Sequence, residues 1–240
     1  MRCFIKSSNN YWAVVPAAGV GKRMGSDCPK QYLSLQEKPI IQHTLERLAA
    51  TQVKGIVVAL SATDPYWEEL ELDLPVPLMR VEGGAERFHS VLNGLHHLQK
   101  HADPDDWVLV HDAARPCVRV EDIQHLMQSL ADHPVGGLLA LPVRDTMKRS
   151  NTDNIITETV SREQLWHALT PQMFRLQALT EALEDVLAQQ KMVTDDAQAI
   201  ELTGQQPVLV ASHADNIKVT HPQDLQLAAL FLTQQAQHES

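Results

Sequence analysis

Residues 16–25, Pro-Ala-Ala-Gly-Val-Gly-Lys-Arg-Met-Gly, combine small side chains with adjacent cations. Small residues and glycines let a backbone wrap closely round a ligand and aim its N–H groups inward. Lys22, Arg23 and Lys30 oppose only Asp27 in this stretch, a local positive surplus in a chain whose net charge is -10. The chemistry this suggests is anion binding, and a polyphosphate is the obvious anion. Two common phosphate motifs fail here. A P-loop requires G-x-x-x-x-G-K-[ST], and the dinucleotide fingerprint requires G-x-G-x-x-G; Gly19 and Gly21 match the latter, but its third position is Met24. On these residues alone the loop reads either as a phosphate cradle or as a Gly-rich turn with solvated lysines.

The elements that must present such a loop follow a simple rhythm. A buried strand over 12–16 precedes it, and a helix over 39–50 follows with Pro39 near its first turn. Strands are expected at 54–60, 76–81, 107–111, 135–143 and 207–211, and helices at 64–72, 86–101, 121–132, 175–190, 195–203 and 222–236. Strand and helix in alternation predict an α/β fold, a doubly wound and mostly parallel sheet with helices on both faces. Such sheets bind ligands at the carboxyl ends of their strands. Residues 144–162 break the rhythm: they hold β-branched residues, a polar tip at 150–154 and no helical stripe. They read as a projecting β-hairpin, which is marginal alone and so is expected to pack on something, a second subunit being one candidate.

Length and composition set outer bounds. The 240 residues, 44% hydrophobic and 21% charged, suit a single globular domain spanning 1–240. The acidic balance disfavours a protein that coats duplex nucleic acid, because that affinity comes from phosphate neutralisation. Cys3, Cys28 and Cys117 form no C-x-x-C pair, which argues against a disulfide framework or a thiolate zinc site. There is no signal-like apolar stretch at the start and no apolar run near 18 residues, so a cytoplasmic protein without membrane contact is expected.

Several strings occur in order beyond the first loop: Pro29-Lys30-Gln31-Tyr32, Gly83-Gly84 with Glu86-Arg87 and Ser90, residues 111–116 (HDAARP), 143–148 (VRDTMK), 166–172 (WHALTPQ) and 214–220 (ADNIKVT). Together with the loop, this set resembles the sugar-phosphate nucleotidyltransferases, and most closely the 2-C-methyl-D-erythritol 4-phosphate cytidylyltransferases. The resemblance runs from about residue 12 to about residue 232. It implies a Rossmann-like nucleotidyltransferase fold with a projecting β-arm. It also implies transfer of CMP from CTP to 2-C-methyl-D-erythritol 4-phosphate, with Mg²⁺. In that reaction a phosphate oxygen of the acceptor attacks the α-phosphorus of CTP, and pyrophosphate leaves. Both reactants are anions, so the protein's task is to neutralise, align and stabilise them, with no protein nucleophile required.

The resemblance carries roles to particular positions. Arg23 and Lys30 are implied as catalytic cations on the triphosphate, and Arg162 and Lys218 as those that hold the attacking sugar phosphate. CTP is implied to sit against Ala17, Ala18, Gly19, Gly21, Lys22, Gly83, Gly84 and Ser90, with Lys22 on the outer phosphates or in solvent. Asp112, Arg115, Asp145, Thr146 and Thr170 are implied on the acceptor side. Asp112 follows a strand and has three readings: a ligand for Mg²⁺, a contact to acceptor hydroxyls, or a turn carboxylate paired with Arg115. In the family the hairpin arm exchanges between two subunits, which implies a homodimer. The chain departs from the family pattern at Ala85, where an Asp follows the paired glycines, and this puts base selection in question.

Rival readings remain at this stage. Cytidylyltransferases for other polyol phosphates, such as ribitol 5-phosphate, resemble this chain in the first loop; Arg144, Asp145, Thr146, Arg162 and Thr170 favour methylerythritol phosphate by resemblance. A non-catalytic nucleotide-binding module would be free to lose Arg23 or Lys30, and both are present. His97 and His101 have i, i+4 spacing but no third zinc ligand in sequence, and read as a solvated helix face. Asp195 and Asp196 stand at a helix start and read as capping and dipole residues rather than a metal pair.

Overall fold

Strands covered on both faces deal their side chains alternately to two cores, and the central strands do so here. The computed structural model describes residues 9–19 and 28–239. In β1 (Tyr11–Pro16), Ala13 and Val15 enter one core and Val14 the other. In β4 (Val53–Leu60), after the short strands β2 (Ser34–Leu35) and β3 (Lys38–Pro39) and helix α1 (Ile40–Ala49), Ile56, Val58 and Leu60 face one core and Val57 the other. Then come β5 (Leu78–Glu82), α2 (Arg87–Leu98), β6 (Trp107–Val110), α3 (Val120–Leu130) and β7 (Gly136–Pro142). The chain continues through β8 (Met147–Ser150), β9 (Ile156–Val160), β10 (Trp166–Arg175), α4 (Leu176–Ala188), α5 (Asp196–Leu202), β11 (Val208–Ala211) and α6 (Pro222–Glu239). Helices α1 and α3 cover the first core, and α2, α4 and α5 the second. Each fully buried Leu or Ile of these helices contributes about 1.5–3 kcal/mol by leaving water.

The seven-stranded sheet runs β11-β7-β10-β6-β1-β4-β5. β1 pairs in parallel with β4 and β6, β4 with β5, and β7 with β11. The chain moves from β1 outward to β4 and β5, then returns to β6 on the other side of β1. The strand order therefore reverses between β1 and β6, where such sheets open a crevice at their carboxyl ends. Both the residues after β1 and Asp112 after β6 lie at that end.

Two expectations need correction. First, β10 has no counterpart among the strands read from sequence, yet it lies inside the sheet and runs antiparallel to both β6 and β7. Pro171 disguises it. The strand accommodates a residue without an N–H because its pairing with β7 is interrupted there, passing from Ala168 opposite Ala140 to Gln172 opposite Leu138. Second, 64–72 is not a helix. Asp64 accepts from the N–H groups of Tyr66 (3.0 Å) and Trp67 (3.2 Å), but only one 3-10 turn follows, Trp67–Glu69. Leu70, Leu72, Leu74 and Val76 then pack on the first core at every second position, as an extended chain. Pro75 and Pro77 disfavour helix at the residues before them.

The expected hairpin is present: β8 and β9 pair antiparallel as a separate two-stranded sheet. Its turn is closed by Asn151, whose Oδ1 accepts from the N–H groups of Asp153 and Ile155, and by Asn154 at φ 62°. Ile155 and Ile156 beside the turn are exposed. Helix α6 buries Ala228 and Leu232 in a third cluster with Leu35, Ile40, Cys117 and Val219, while its Leu227 and Leu230 remain exposed.

The seat of α2 on β1 depends on Gly94, where a Cβ would stand 2.6 Å from Cγ1 of Val14. Val14 is fully buried and its branched side chain has little freedom to move aside. Gly94→Ala is expected to destabilise the fold by about 1–3 kcal/mol through overpacking. Urea unfolding checks this, and an unchanged midpoint would show that the helix can shift.

Candidate active site

At the switch point a cleft of about 200 Å³ opens beside Ala17, Ala18 and Gly19 after β1, Gly84–Arg87 and Ser90 after β5, Asp112–Ala114 after β6, and Lys30, Gln31 and Lys218. Each wall is fixed by the backbone that follows a strand. The N–H of Ala17 donates to the Ala59 carbonyl (2.8 Å), and the Gln31 amide donates to the Ala17 carbonyl (2.7 Å). The N–H of Gly83 donates to the Leu60 carbonyl (2.7 Å), and that of Gly84 to the Ser90 hydroxyl (3.0 Å). Gly83 is required by close approach, since a Cβ there would lie 2.4 Å from Cβ of Ala18. Glu86 caps α2 in a reciprocal box with His89.

Lys30 stands in the turn Lys30–Tyr32, and its ammonium donates to the Val219 carbonyl (3.2 Å). Lys218 stands beside that carbonyl in sequence, so the segment 214–220 supplies one cation and anchors the other. The ammonium of Lys218 lies 2.9 Å from Oδ2 of Asp112. Arg115 reaches the same oxygen at 3.4 Å, and Arg87 donates from Nε to Oδ1 at 3.0 Å. Burial alone would raise the Asp112 carboxyl; the neighbouring Arg87, Lys218 and Arg115 reverse this and hold it well below the usual carboxylate range.

Behind Asp112 the site is held by a neutral histidine. His111 is fully buried, and burial pushes its imidazole down to about 4 against the pull of Asp112. Its Nε2 faces the Arg115 carbonyl at 3.2 Å and its Nδ1 the Thr170 hydroxyl at 2.9 Å. A carbonyl only accepts, so the network assigns the proton to Nε2. Nδ1 then accepts from the Thr170 hydroxyl, whose oxygen accepts the N–H of Asp112 (3.1 Å).

The residues expected from sequence divide into four groups. Ala17, Ala18, Gly19, Lys30, Gly84, Ser90, Asp112 and Lys218 line the cleft, and Gly83 stands directly behind it. Gly21, Lys22 and Arg23 lie outside the described residues. Arg115 and Thr170 are buried and engaged with Asp112 and His111, so they position the cleft wall rather than face it. Arg144, Asp145, Thr146 and Arg162 are exposed at the base of the hairpin, outside the cleft lining, where the Arg162 guanidinium donates to the Arg144 carbonyl.

Sequence reasoning missed Arg87 and its pairing with Asp196, which does stand in the first turn of α5 as expected. Asp195 does cap α5, accepting the N–H of Gln198 at 2.9 Å. Asp196 instead is fully buried and takes both terminal nitrogens of Arg87, at 3.1 and 2.8 Å. A signal existed in Arg87 following the paired glycines, but its partner lies 109 residues away. His97 of α2 and His101, in the turn beyond that helix's end, pack ring to ring at 5.0 Å.

Comparison with known proteins points one way. The family model for 2-C-methyl-D-erythritol 4-phosphate cytidylyltransferase (IspD) matches residues 11–234. A relative from Vibrio parahaemolyticus, named 2-C-methyl-D-erythritol 4-phosphate cytidylyltransferase, is 52% identical over 228 residues, 95% of this chain and 97% of its own. A crystal structure of 4-diphosphocytidyl-2C-methyl-D-erythritol synthase superposes with TM-score 0.81 at 33% identity, covering 94% of this chain and 99% of that one. The Francisella tularensis 2-C-methyl-D-erythritol 4-phosphate cytidylyltransferase superposes with TM-score 0.79 at 34% identity, covering 93% and 100%.

The His111 network makes stability depend on pH. The imidazole's folded pKa lies below its unfolded value near 6.5, so the unfolded chain binds the extra proton first. The contribution is whole above about pH 6.5 and is lost as pH falls toward about 4, by on the order of 3 kcal/mol. His111→Gln is expected to remove this component, so that the stability gap to the parent narrows between pH 6.5 and 4 in urea unfolding. Thr170→Val leaves the Asp112 N–H and His111 Nδ1 without their shared hydroxyl, and is expected to cost about 1–3 kcal/mol at pH 7 in the same measurement.

Proposed function

The chain belongs to the 2-C-methyl-D-erythritol 4-phosphate cytidylyltransferase family, and from that premise we propose how its own residues divide the work. The reaction transfers CMP from CTP to 2-C-methyl-D-erythritol 4-phosphate. It gives 4-diphosphocytidyl-2-C-methyl-D-erythritol and pyrophosphate, in non-mevalonate isoprenoid precursor synthesis. The observation that carries the assignment of roles is the meeting of Lys30 and Lys218 with Asp112 in one cleft at the switch point.

In this reading CTP lies along Ala17, Ala18, Gly19 and Gly21, with its base toward Gly83, Gly84 and Ser90. Ala85 offers only main-chain polar groups, so base choice falls to the main chain around it and to the Ser90 hydroxyl. Lys30, with Arg23 from the first loop and Lys22 on the outer phosphates, neutralises the triphosphate and stabilises charge at the α-phosphorus. Lys218 holds the phosphate of the acceptor. An acceptor phosphate oxygen forms the new bond to the α-phosphorus as the bond to the leaving pyrophosphate breaks. Asp112 sets the place of Lys218 and is available to the acceptor's hydroxyls; Arg115 and Thr170 hold Asp112.

Mg²⁺ is the divalent ion expected with CTP. Asp112 does not fit as its protein ligand, since its two oxygens already face three cationic side chains. Among the described residues no three His, Cys, Asp or Glu side chains are grouped to share an ion. The Mg²⁺ of this proposal therefore serves as a counter-ion of the nucleotide's phosphates.

The proposal takes 1–240 as one nucleotidyltransferase domain with 144–162 as its arm, and the working unit as a cytoplasmic homodimer. Arg144, Asp145, Thr146 and Arg162 stand exposed at the arm's base, outside the cleft lining. An arm laid on a second copy would bring them to that copy's acceptor, and the exposed Ile155 and Ile156 give it apolar surface to bury. Among the described residues no helix is long and apolar enough to cross a membrane.

Pyrophosphate release with Mg²⁺ tests the reading, crossing CTP and UTP against methylerythritol phosphate, ribitol 5-phosphate and no acceptor. Release with CTP and methylerythritol phosphate alone is expected. Release with ribitol phosphate instead would overturn the acceptor. Lys30→Ala and Arg23→Ala are each expected to lower kcat by about 10² or more. Lys218→Ala and Arg162→Ala are expected to raise KM for the acceptor more than KM for CTP. Near-normal kinetics in any of these variants would remove that residue from the assignment.

A further inference from the structure

Arg87 spends its guanidinium in an unusual way. It is the first residue of α2 and lines the cleft, yet all three of its nitrogens engage carboxylates. The terminal pair forms a fork on Asp196, at 3.1 and 2.8 Å, and Nε is left to donate to Oδ1 of Asp112 at 3.0 Å. Asp196 is fully buried in the second residue layer of the site and does not line the cleft. A buried carboxylate is stable only while paired and hydrogen-bonded, so the fork is held firmly. The guanidinium is planar, and fixing its two ends fixes the direction of Nε. Asp112 is thereby held on Oδ1, which leaves Oδ2 directed at the Lys218 ammonium, 2.9 Å away. Three cations against two carboxylates leave one net positive charge, and Lys218 is the most exposed of the three.

We propose that Arg87, anchored by Asp196, is a positioning residue that places the Lys218 ammonium through Asp112, and so sets the affinity for the acceptor's phosphate. The proposal rests on the reading that Lys218 holds that phosphate. Lysine at 87 keeps the charge but lacks the fork and cannot bridge two carboxylates in fixed directions. Asparagine at 196 keeps the volume but loses the charge that holds the fork. Asp196 does not line the cleft, and its hydrogen-bonded link to the site is the fork on Arg87.

The test is a kinetic cycle on the full chain with CTP and methylerythritol phosphate. Its variants are Arg87→Lys, Asp196→Asn, Lys218→Ala, and each of the first two combined with Lys218→Ala. Arg87→Lys and Asp196→Asn are each expected to raise KM for the acceptor about tenfold, with KM for CTP within about twofold of the parent. In the Lys218→Ala background neither change is expected to raise the acceptor KM further by more than about twofold. KM does not depend on the fraction of protein that folds, so a merely structural role would lower yield and melting temperature and leave both KM values in place. That outcome, or independent multiplication of the effects in the double variants, overturns the proposal and leaves the reading of Lys218 intact. A normal acceptor KM in Lys218→Ala alone overturns that reading, and the proposal with it. If Arg87→Lys fails to fold, Asp196→Asn carries the same cycle, and Asp196→Glu, which restores the charge, is expected to recover acceptor KM at least in part.

Discussion

The carboxylate of Asp112 cannot be buried at the end of β6 without cations, and the cations it collects come from three separate parts of the chain. Arg87 arrives from the start of α2, Arg115 from the turn after β6, and Lys218 from the segment before α6. An isolated buried carboxylate would cost several kcal/mol, so the attraction must be met at close range and with good geometry. That requirement ties the sheet's two halves and the C-terminal segment to one point at the crevice. It also fixes a lysine at the cleft wall before any anion arrives, which is the condition under which a cation helps a transfer reaction most.

The support beneath Asp112 explains why the sheet contains an antiparallel strand. β10 pairs with β6 at Gln172 opposite Val110, so Thr170 falls beside the residues that follow β6. From there one hydroxyl satisfies both the Asp112 N–H and the His111 imidazole. Two positions further, Gln172 donates to Asp195 at 2.9 Å and accepts the Ala197 N–H at 2.8 Å, which seats the start of α5 and hence Asp196. A parallel strand would run the other way past β6 and could not deliver both contacts in this order. The same strand therefore braces Asp112 from its backbone and, through α5 and Arg87, from its side chain.

Much of this was legible in the sequence where the signal was local. The runs 12–16, 54–60 and 107–111 are apolar and short, and they are the three central parallel strands. Ala17, Ala18, Lys30, Gly84, Ser90, Asp112 and Lys218, taken from the resemblance, do meet in the cleft. What was not legible depends on long-range pairing. Pro171 hides β10 because its tolerance depends on an irregular partner strand, which no local pattern announces. Asp196 resembles a capping residue beside Asp195 until Arg87 reaches it from a distant helix. The stretch after Asp64 is a different case: Leu70, Leu72 and Leu74 alternate with a strand-like period, so its extended course was legible locally.

An acidic chain that binds two polyanions must separate its local field from its net charge. At ordinary ionic strength the charges scattered over the surface act over only about 8–10 Å, so the cleft responds chiefly to its own lining. There the carboxylates do not cancel the cations; they direct them. Lys218 held by Asp112 gives up part of its attraction for a phosphate, but it also gives up the freedom of a four-carbon stem, which a free lysine must lose on binding. With Arg87 and Arg115 on the same carboxylate, Asp112 would keep partners if Lys218 turned toward a phosphate as proposed, so the exchange would not strand a buried charge. The cluster of three cations on two carboxylates thus holds one cation in excess, and Lys218, the most exposed of them, is the one that the proposed function gives to the acceptor's phosphate.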